Sequence, residues 1–257
     1  MLVYPLALGV YRSVVDRDGG TNAYAWFLDN TVYARILLRT FITAGWVTLI
    51  CLALGFPYAY LMTVAGRRTR SVLMLVVLLP FWTSALVRIF AWVVLLQPGG
   101  IVSTALSPIG VGERLLGTQA AVLMGMSQLL LPFMVIPIYT AMRTIDPQLM
   151  LAAESLGARP TVAFWRVFAP LSAPGVWAGS ALVFILSLGF YVVPALLGSP
   201  SQSLIAQTIY QQVSGLLYFG RGGALAVFLL AATILVFGSV ALVRRLVSRL
   251  RGDRYGT

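Results

Sequence analysis

The sequence contains no histidine and no lysine, and only 10% of its 257 residues are charged. Without lysine there is no P-loop lysine to bind nucleotide phosphates and no amine to form a Schiff base. Without histidine the commonest general base and metal ligand is missing. We therefore expect no catalytic site, no metal site and no cofactor in this chain.

Cysteine is nearly absent as well, because Cys51 is the only one and it lies in an apolar stretch. A single cysteine cannot build a disulfide framework or a Cys-rich metal site within the chain. We interpret Cys51 as a small apolar residue that is buried or faces lipid.

Apolar residues are in excess: 60% of the chain is hydrophobic, and the mean hydropathy is +0.92. A soluble domain carries about 25% charged and about 45–50% apolar residues. The excess lies in five runs that are long enough to cross a hydrocarbon core about 30 Å thick. We predict an all-α polytopic membrane protein in which residues 1–257 form one transmembrane domain. The predicted spans are 41–65, 71–96, 119–142, 174–198 and 223–243.

The arginines are distributed unevenly between the two sides of these spans. If the loops 66–70 and 143–173 and the tail after residue 243 face the cytoplasm, that side holds eleven arginines and the other side six. This is the asymmetry of the positive-inside rule, so we predict a cytoplasmic C-terminus. Since the net charge of +11 belongs to the edges of the spans, no soluble basic face remains to bind nucleic acid.

The N-terminal segment 2–11 is apolar but only about half as long as a span needs to be. It lacks a basic n-region and an Ala-x-Ala site, so a cleavable signal peptide is not predicted. It is either a short interfacial segment or the remainder of a sixth helix.

The loop 143–173 carries explicit helix signals. Asp146 is a favourable N-cap, Pro147 suits the first helical position, and Gly157 suits a left-handed C-cap. These signals predict a helix of about ten residues over 147–156, and a second short helix is predicted to stop near Pro170.

The first of these helices carries an apolar stripe at i, i+3, i+4 and i+7 spacing. A ten-residue helix is marginal in water, so this stripe needs a surface to pack on. It lies either on the membrane or its own helices, or in a groove of a cytoplasmic partner, and we favour the partner. The stripe consists of Leu149, Ala152, Ala153 and Leu156.

The spacing of six residues in this loop resembles the signature of the membrane subunits of binding-protein-dependent ABC importers, which reads Glu-Ala-Ala, three residues, Gly, nine residues, Ile-x-Leu-Pro. All gaps match, but Leu151 replaces the glutamate and Ala169 the leucine. Glu154, one turn on, is a partial substitute for the missing carboxylate. The residues aligned with the signature, including the departure at Ala169, are Ala152, Ala153, Gly157, Val167, Ala169 and Pro170.

Further segments resemble the first of the two membrane subunits of spermidine/putrescine-type permeases. They are 79–92, 131–139, 178–185, 194–198 and 209–212. The resemblance covers roughly 30–245 and implies a type I importer permease in a bacterial inner membrane. Such permeases usually have six helices with both ends cytoplasmic, which favours segment 2–11 as the remainder of a first helix.

The resemblance also implies partners: an ABC ATPase dimer, a second permease subunit, an extracytoplasmic solute-binding protein and membrane lipid. ATP hydrolysis then belongs to a separate subunit, and this chain is not an enzyme. The loop 143–173 would couple the ATPase to this chain. The implied coupling residues are Asp146, Pro147, Leu149, Ala152, Ala153, Glu154, Leu156, Gly157 and Pro170.

Arg88 is the only charged residue well inside a predicted span, and an intramembrane charge is a functional-site candidate by default. The alternative is a structural arginine that reaches outward to the interface. Trp82, Gln128, Tyr191 and Gln212 are further candidates for the solute path. Each of the four is otherwise a packing residue or an interface anchor.

The resemblance suggests a polyamine as the solute. Polyamines are cations, however, and the predicted spans contain no Asp or Glu. A small anionic or zwitterionic solute (an opine or aminoethylphosphonate) or ferric ion therefore stays open. A secondary transporter is the rival class, but it needs intramembrane carboxylates or repeated halves, and the sequence shows neither. A membrane-embedded enzyme lacks its catalytic groups.

Overall fold

The computed structural model describes residues 3–15, 22–106 and 115–252, and every regular element within these ranges is helical. Short 3-10 turns (Leu79–Trp82, Pro200–Gln202) and π turns (Phe164–Phe168, Gln211–Gly215) join some of the α-helices. The α-helices are α1 (Val3–Val15), α2 (Ala23–Asp29), α3 (Thr31–Val64), α4 (Arg67–Leu78), α5 (Ala85–Leu96), α6 (Ile101–Leu106), α7 (Gln119–Arg143), α8 (Gln148–Ser155), α9 (Pro160–Ala163), α10 (Ala169–Leu188), α11 (Val192–Leu197), α12 (Ile205–Tyr210) and α13 (Phe219–Gly252).

Among the described residues, four helices are long and apolar enough to cross a membrane, and a bent pair makes a fifth candidate. The predicted all-α membrane fold is therefore confirmed. Residues 119–142 match α7 almost to the residue, whereas α3 begins ten residues before the predicted 41–65. The four helices are Thr31–Val64, Gln119–Arg143, Pro160–Leu188 and Phe219–Val240.

The predicted span 71–96 is wrong as a continuous helix. The helical segments Arg67–Trp82 and Ala85–Leu96 meet at a bend of 96°. Pro80, near the start of the 3-10 turn, has no N–H to donate, so it weakens the helical ladder there. Thr83 and Ser84 then adopt extended backbone, with ψ of 144° and 132°, which completes the break.

The fourth predicted span, 174–198, also needs correction. Helix runs without interruption from Pro160 to Leu188, so the predicted stop near Pro170 is wrong. Pro170 has no N–H to donate to an i→i−4 hydrogen-bond ladder. The π turn directly before α10 already alters that ladder at this point, so the helix continues through Pro170. At the other end α10 stops at Leu188, where the N–H groups of Gly189 and Phe190 donate to the carbonyls of Leu186 and Ser187, and α11 follows as a separate helix.

The structure divides into two compact units, of which one comprises residues 39–204. Its centre is α7, against which α10 packs at close range. A Cβ added at Gly175 would lie 2.5 Å from the Cβ of Ala141, and one added at Gly179 would lie 3.0 Å from the Met134 carbonyl oxygen. Glycines spaced four apart therefore let these two apolar helices approach closely, as in other membrane helix pairs.

The other unit combines the residues up to 38 with those from 205 onward. Its core is formed by Phe27, Ile205 and Leu225, and Phe27 stacks on Phe228 with ring centroids 3.9 Å apart. From Val3 onward the N-terminal apolar segment belongs to α1, whereas Leu2 lies outside the described residues.

Candidate functional site

The predicted helix in the loop 143–173 is present as α8, which has eight residues instead of ten. Asp146 Oδ1 accepts the N–H of Gln148 at 2.9 Å, so the predicted N-cap is confirmed. At the other end Gly157 has a φ of +86°, and Ala158 donates its N–H to the Ala153 carbonyl at 3.1 Å. The predicted left-handed C-cap is therefore confirmed as well.

The apolar stripe of α8 lies mostly at the surface of this chain. Leu149 is 45% exposed, Leu156 is 90% exposed just beyond the last helical turn, and Ala152 is also exposed. Ala153 is half-buried, while Met150 packs on the main core of the unit. The helix is thus held from one side and presents apolar side chains on the other.

An aromatic cluster anchors the chain that follows α8, and the sequence analysis missed it. The Tyr60 ring of α3 lies 5.2 Å from Phe164 and 5.4 Å from Phe168, centroid to centroid. Phe164 and Phe168 stack on each other at 5.6 Å within the π turn. Their spacing of four residues, which places them on one helix face, was the available signal.

Arg88 lies on α5, half-buried, beside a cavity of about 230 Å³. Its Nε atom is fully buried and has no hydrogen-bond partner among the described residues. The other side chains around the cavity are apolar, so this cation has no anion beside it in the cavity wall. They are Pro80, Phe81, Ala85, Leu129, Leu130, Pro132, Phe133, Leu186 and Phe190.

Gln128, on α7, is already engaged within the chain. Its Oε1 accepts the indole N–H of Trp92 at 3.1 Å. Trp92 follows Arg88 by four residues on α5, which places both on the same face of that helix. Sequence reasoning identified Gln128 but missed Trp92.

The remaining three candidates for the solute path lie in different surroundings. Trp82 is 86% exposed at the end of the 3-10 turn and lines a separate cavity of about 410 Å³, together with Arg70 and Tyr139. Tyr191 is 40% exposed at the start of α11. Gln212 is buried in the second π turn, and its Oε1 has no partner among the described residues. Trp82 and Arg88 therefore line different cavities.

Comparison with known proteins identifies relatives over most of the chain. Residues 51–252 match the family described as "Binding-protein-dependent transport system inner membrane component". The spermidine/putrescine transport system permease protein PotB of Haemophilus influenzae is 36% identical over 219 residues, which are 81% of this chain and 76% of that protein. PotB of Escherichia coli is 34% identical, covering 88% and 82%. The inner membrane ABC transporter permease protein YdcU of Escherichia coli is 33% identical, covering 85% and 74%.

Among solved structures, a chain of a bacterial alginate ABC transporter, in complex with an alginate pentasaccharide-bound periplasmic protein, shares the fold. It superimposes with a TM-score of 0.75 at 19% identity, covering 96% of this chain and 90% of that one. The type I importer permease fold is thereby confirmed. With the family match over residues 51–252, this chain belongs to the inner-membrane components of binding-protein-dependent transport systems and is the permease subunit of an ABC importer.

Proposed function

We propose that this chain is the first of two permease subunits of a polyamine importer, and that α8 is the surface on which a separate ATPase acts. The observation that carries this proposal is the exposed apolar stripe of α8, capped at Asp146 and Gly157. An eight-residue helix is not stable by itself, so its apolar face is expected to lie in a groove of another protein.

The distribution of arginines indicates on which side of the membrane the loop lies. With loop 143–173 and the C-terminus in the cytoplasm, the stripe meets an ATPase dimer on that side, and residues 1–257 act as one transmembrane domain. Closure of the dimer on ATP then pulls on α8. The aromatic cluster of Tyr60, Phe164 and Phe168 joins this loop to α3 and α10, so a movement of α8 is passed to helices that cross the membrane. Two transport states require such differential contacts with the ATPase.

The proposed solute is inferred from the relatives of this chain. PotB proteins named for spermidine and putrescine transport are 34–36% identical to this chain over most of its length. By the same likeness, the chain pairs with a second, different permease subunit and receives its solute from an extracytoplasmic binding protein.

A charge placed on the α8 stripe tests the docking role. Ala152→Asp puts a carboxylate on the exposed apolar face, and we expect the ATPase to be lost when the complex is purified from membranes. Ala120→Asp is the matched control, because it makes the same change at an exposed alanine in the first turn of α7, at the end of that helix far from α8. If the same amount of ATPase co-purified with both variants, the proposed docking face would be wrong.

A second solute class is favoured by one observation. Arg88 Nε lies beside an apolar cavity and has no hydrogen-bond partner among the described residues, whose apolar helices contain no Asp or Glu. A carboxylate or phosphonate group of an anionic or zwitterionic solute would satisfy that guanidinium. The two solute classes are separated by uptake into proteoliposomes. Spermidine and aminoethylphosphonate are compared, and each is supplied bound to a binding protein.

A further inference from the structure

The turn between α12 and α13 borders an open surface concavity that is separate from α8 and from the Arg88 cavity. It has a volume of about 470 Å³. The Tyr210 ring is 52% exposed on its wall, and Gln211 and Ser214 are exposed beside it. The lining residues are Tyr210, Gln211, Ser214, Gly215 and Leu216.

The backbone of this turn is unusual. The helix α12 ends at Tyr210 and continues as a π turn over Gln211–Gly215. Leu217 then adopts a φ of +58°, a conformation that few residues other than glycine adopt. The N–H of Leu216 donates to the Gln211 carbonyl at 3.0 Å, and that of Tyr218 donates to the Gln212 carbonyl at 2.8 Å. π turns and strained residues concentrate at functional sites, which favours a ligand role for this turn.

The wall of the concavity offers hydrogen-bond acceptors and a π face but no charge. A tyrosine ring attracts a cation through its quadrupole, while a glutamine oxygen and a serine hydroxyl accept hydrogen bonds. An ammonium group, which carries three donors and a positive charge, matches this set of groups.

Two further acceptors lie on the packed side of the same segment. Gln207 Oε1 and Gln212 Oε1 are both buried, and neither has a donor within the part of the chain that the structure describes. Buried acceptors of this kind are usually satisfied, but neither side chain lines the concavity, so these two oxygens are not part of its wall. The nearby cation Arg221 is directed elsewhere, since its guanidinium lies 4.8 Å from the Trp26 ring centroid and 4.6 Å from that of Tyr218.

We infer that the concavity of Tyr210, Gln211 and Ser214 is a neutral subsite for an ammonium group of the transported polyamine, an inference that rests on the proposed function. It explains how a cation is handled by a chain whose described apolar helices contain no carboxylate. A transport path must bind its solute weakly enough to release it, and neutral acceptors with an aromatic face achieve this where a carboxylate would hold the cation.

The test uses the complete transporter in proteoliposomes, with its ATPase, its second permease and its spermidine-loaded binding protein. We expect Tyr210→Leu combined with Gln211→Leu to lower spermidine imported per ATP hydrolysed by about tenfold. Tyr210→Phe keeps the ring and should retain more than half of the wild-type ratio. Ser239→Ala, an exposed serine on α13 outside the concavity, is the control for the loss of a surface hydroxyl.

A gain-of-binding variant guards against a merely misfolded protein. Gln211→Glu adds a carboxylate to the wall and should tighten equilibrium binding of radiolabelled spermidine to the purified complex by about tenfold, while slowing its release. Wild-type spermidine binding by Gln211→Glu, or a wild-type import ratio for the double variant, overturns the subsite alone. Failure of the wild-type transporter to import any polyamine overturns the proposed solute, and the subsite with it.

Discussion

Trp92 donates its indole N–H to the side-chain oxygen of Gln128 over 3.1 Å, and this bond joins α5 to α7. The bond takes one of the two lone pairs of that oxygen. Gln128 therefore serves first to hold α5, the helix that carries Arg88, against the central helix of its unit.

A double-mutant cycle of Trp92→Phe and Gln128→Leu should give a coupling energy of about 1 kcal/mol, the size of a hydrogen bond between membrane helices. The measurement is unfolding of the purified complex in mixed micelles. Trp46→Phe is the control, because Trp46 is 52% exposed and makes no side-chain hydrogen bond among the described residues. A coupling energy near zero would show that the two helices are held by apolar packing alone.

The close approach of α10 to α7 should make Gly175 intolerant of a side chain. A Cβ there would lie 2.5 Å from Ala141 Cβ and 2.7 Å from the Pro137 carbonyl oxygen, so Gly175→Ala should destabilise the fold by about 1–3 kcal/mol. Gly45→Ala is the matched control, since a Cβ at Gly45 meets nothing within 4 Å and alanine favours the helix. Thermal unfolding in detergent compares the two, and equal stability would contradict the close packing.

The cap of α8 should control ATPase coupling. Asp146→Ala removes the acceptor for the Gln148 N–H and should cost the helix about 1 kcal/mol, which is a large fraction of the stability of so short a helix. Uptake driven by the ATPase is then expected to fall, whereas Asp146→Asn, which keeps a capping oxygen, should stay near wild type. Equal uptake by the two variants would remove the cap from the coupling mechanism.

Features with local causes were the most predictable from the sequence. Asp146 and Gly157 act through hydrogen bonds and dihedral angles of their immediate neighbours, so their residue types were sufficient to predict both ends of α8. The length and apolarity of α7 likewise predicted a membrane span. Each of these signals lies within a single continuous stretch of sequence.

Features that depend on tertiary context were not predictable. Pro57 and Pro132 lie inside unbroken helices, whereas Pro80 begins a break, and composition alone does not separate these cases. The cavity beside Arg88 joins side chains from three distant segments, represented by Pro80, Leu129 and Leu186. No single stretch of sequence contains that arrangement.

Arg88→Leu should distinguish the two solute classes. Because the buried Arg88 Nε has no hydrogen-bond partner among the described residues, loss of this side chain should leave the stability of the purified complex equal or higher, which a thermal unfolding scan checks. For a polyamine, uptake should persist, because removing a repelling charge costs the cation nothing. For a carboxylate or phosphonate solute, uptake should fall by about tenfold or more. Arg35→Leu, an exposed arginine on α3, controls for the change in net charge.

The strained residue after the second π turn yields the last prediction. Leu217 is 65% exposed, so burial of its side chain contributes little to stability. Its φ of +58° is left-handed, which costs about 1–2 kcal/mol. Leu217→Asn should therefore stabilise the protein by about 0.5–1 kcal/mol, because asparagine tolerates that conformation. Leu216→Asn makes the same chemical change at a neighbour that is 55% exposed but has a φ of −105°, and no gain is expected there. If both variants changed the unfolding free energy equally, the effect would come from surface polarity, and the turn would not be held in a strained state.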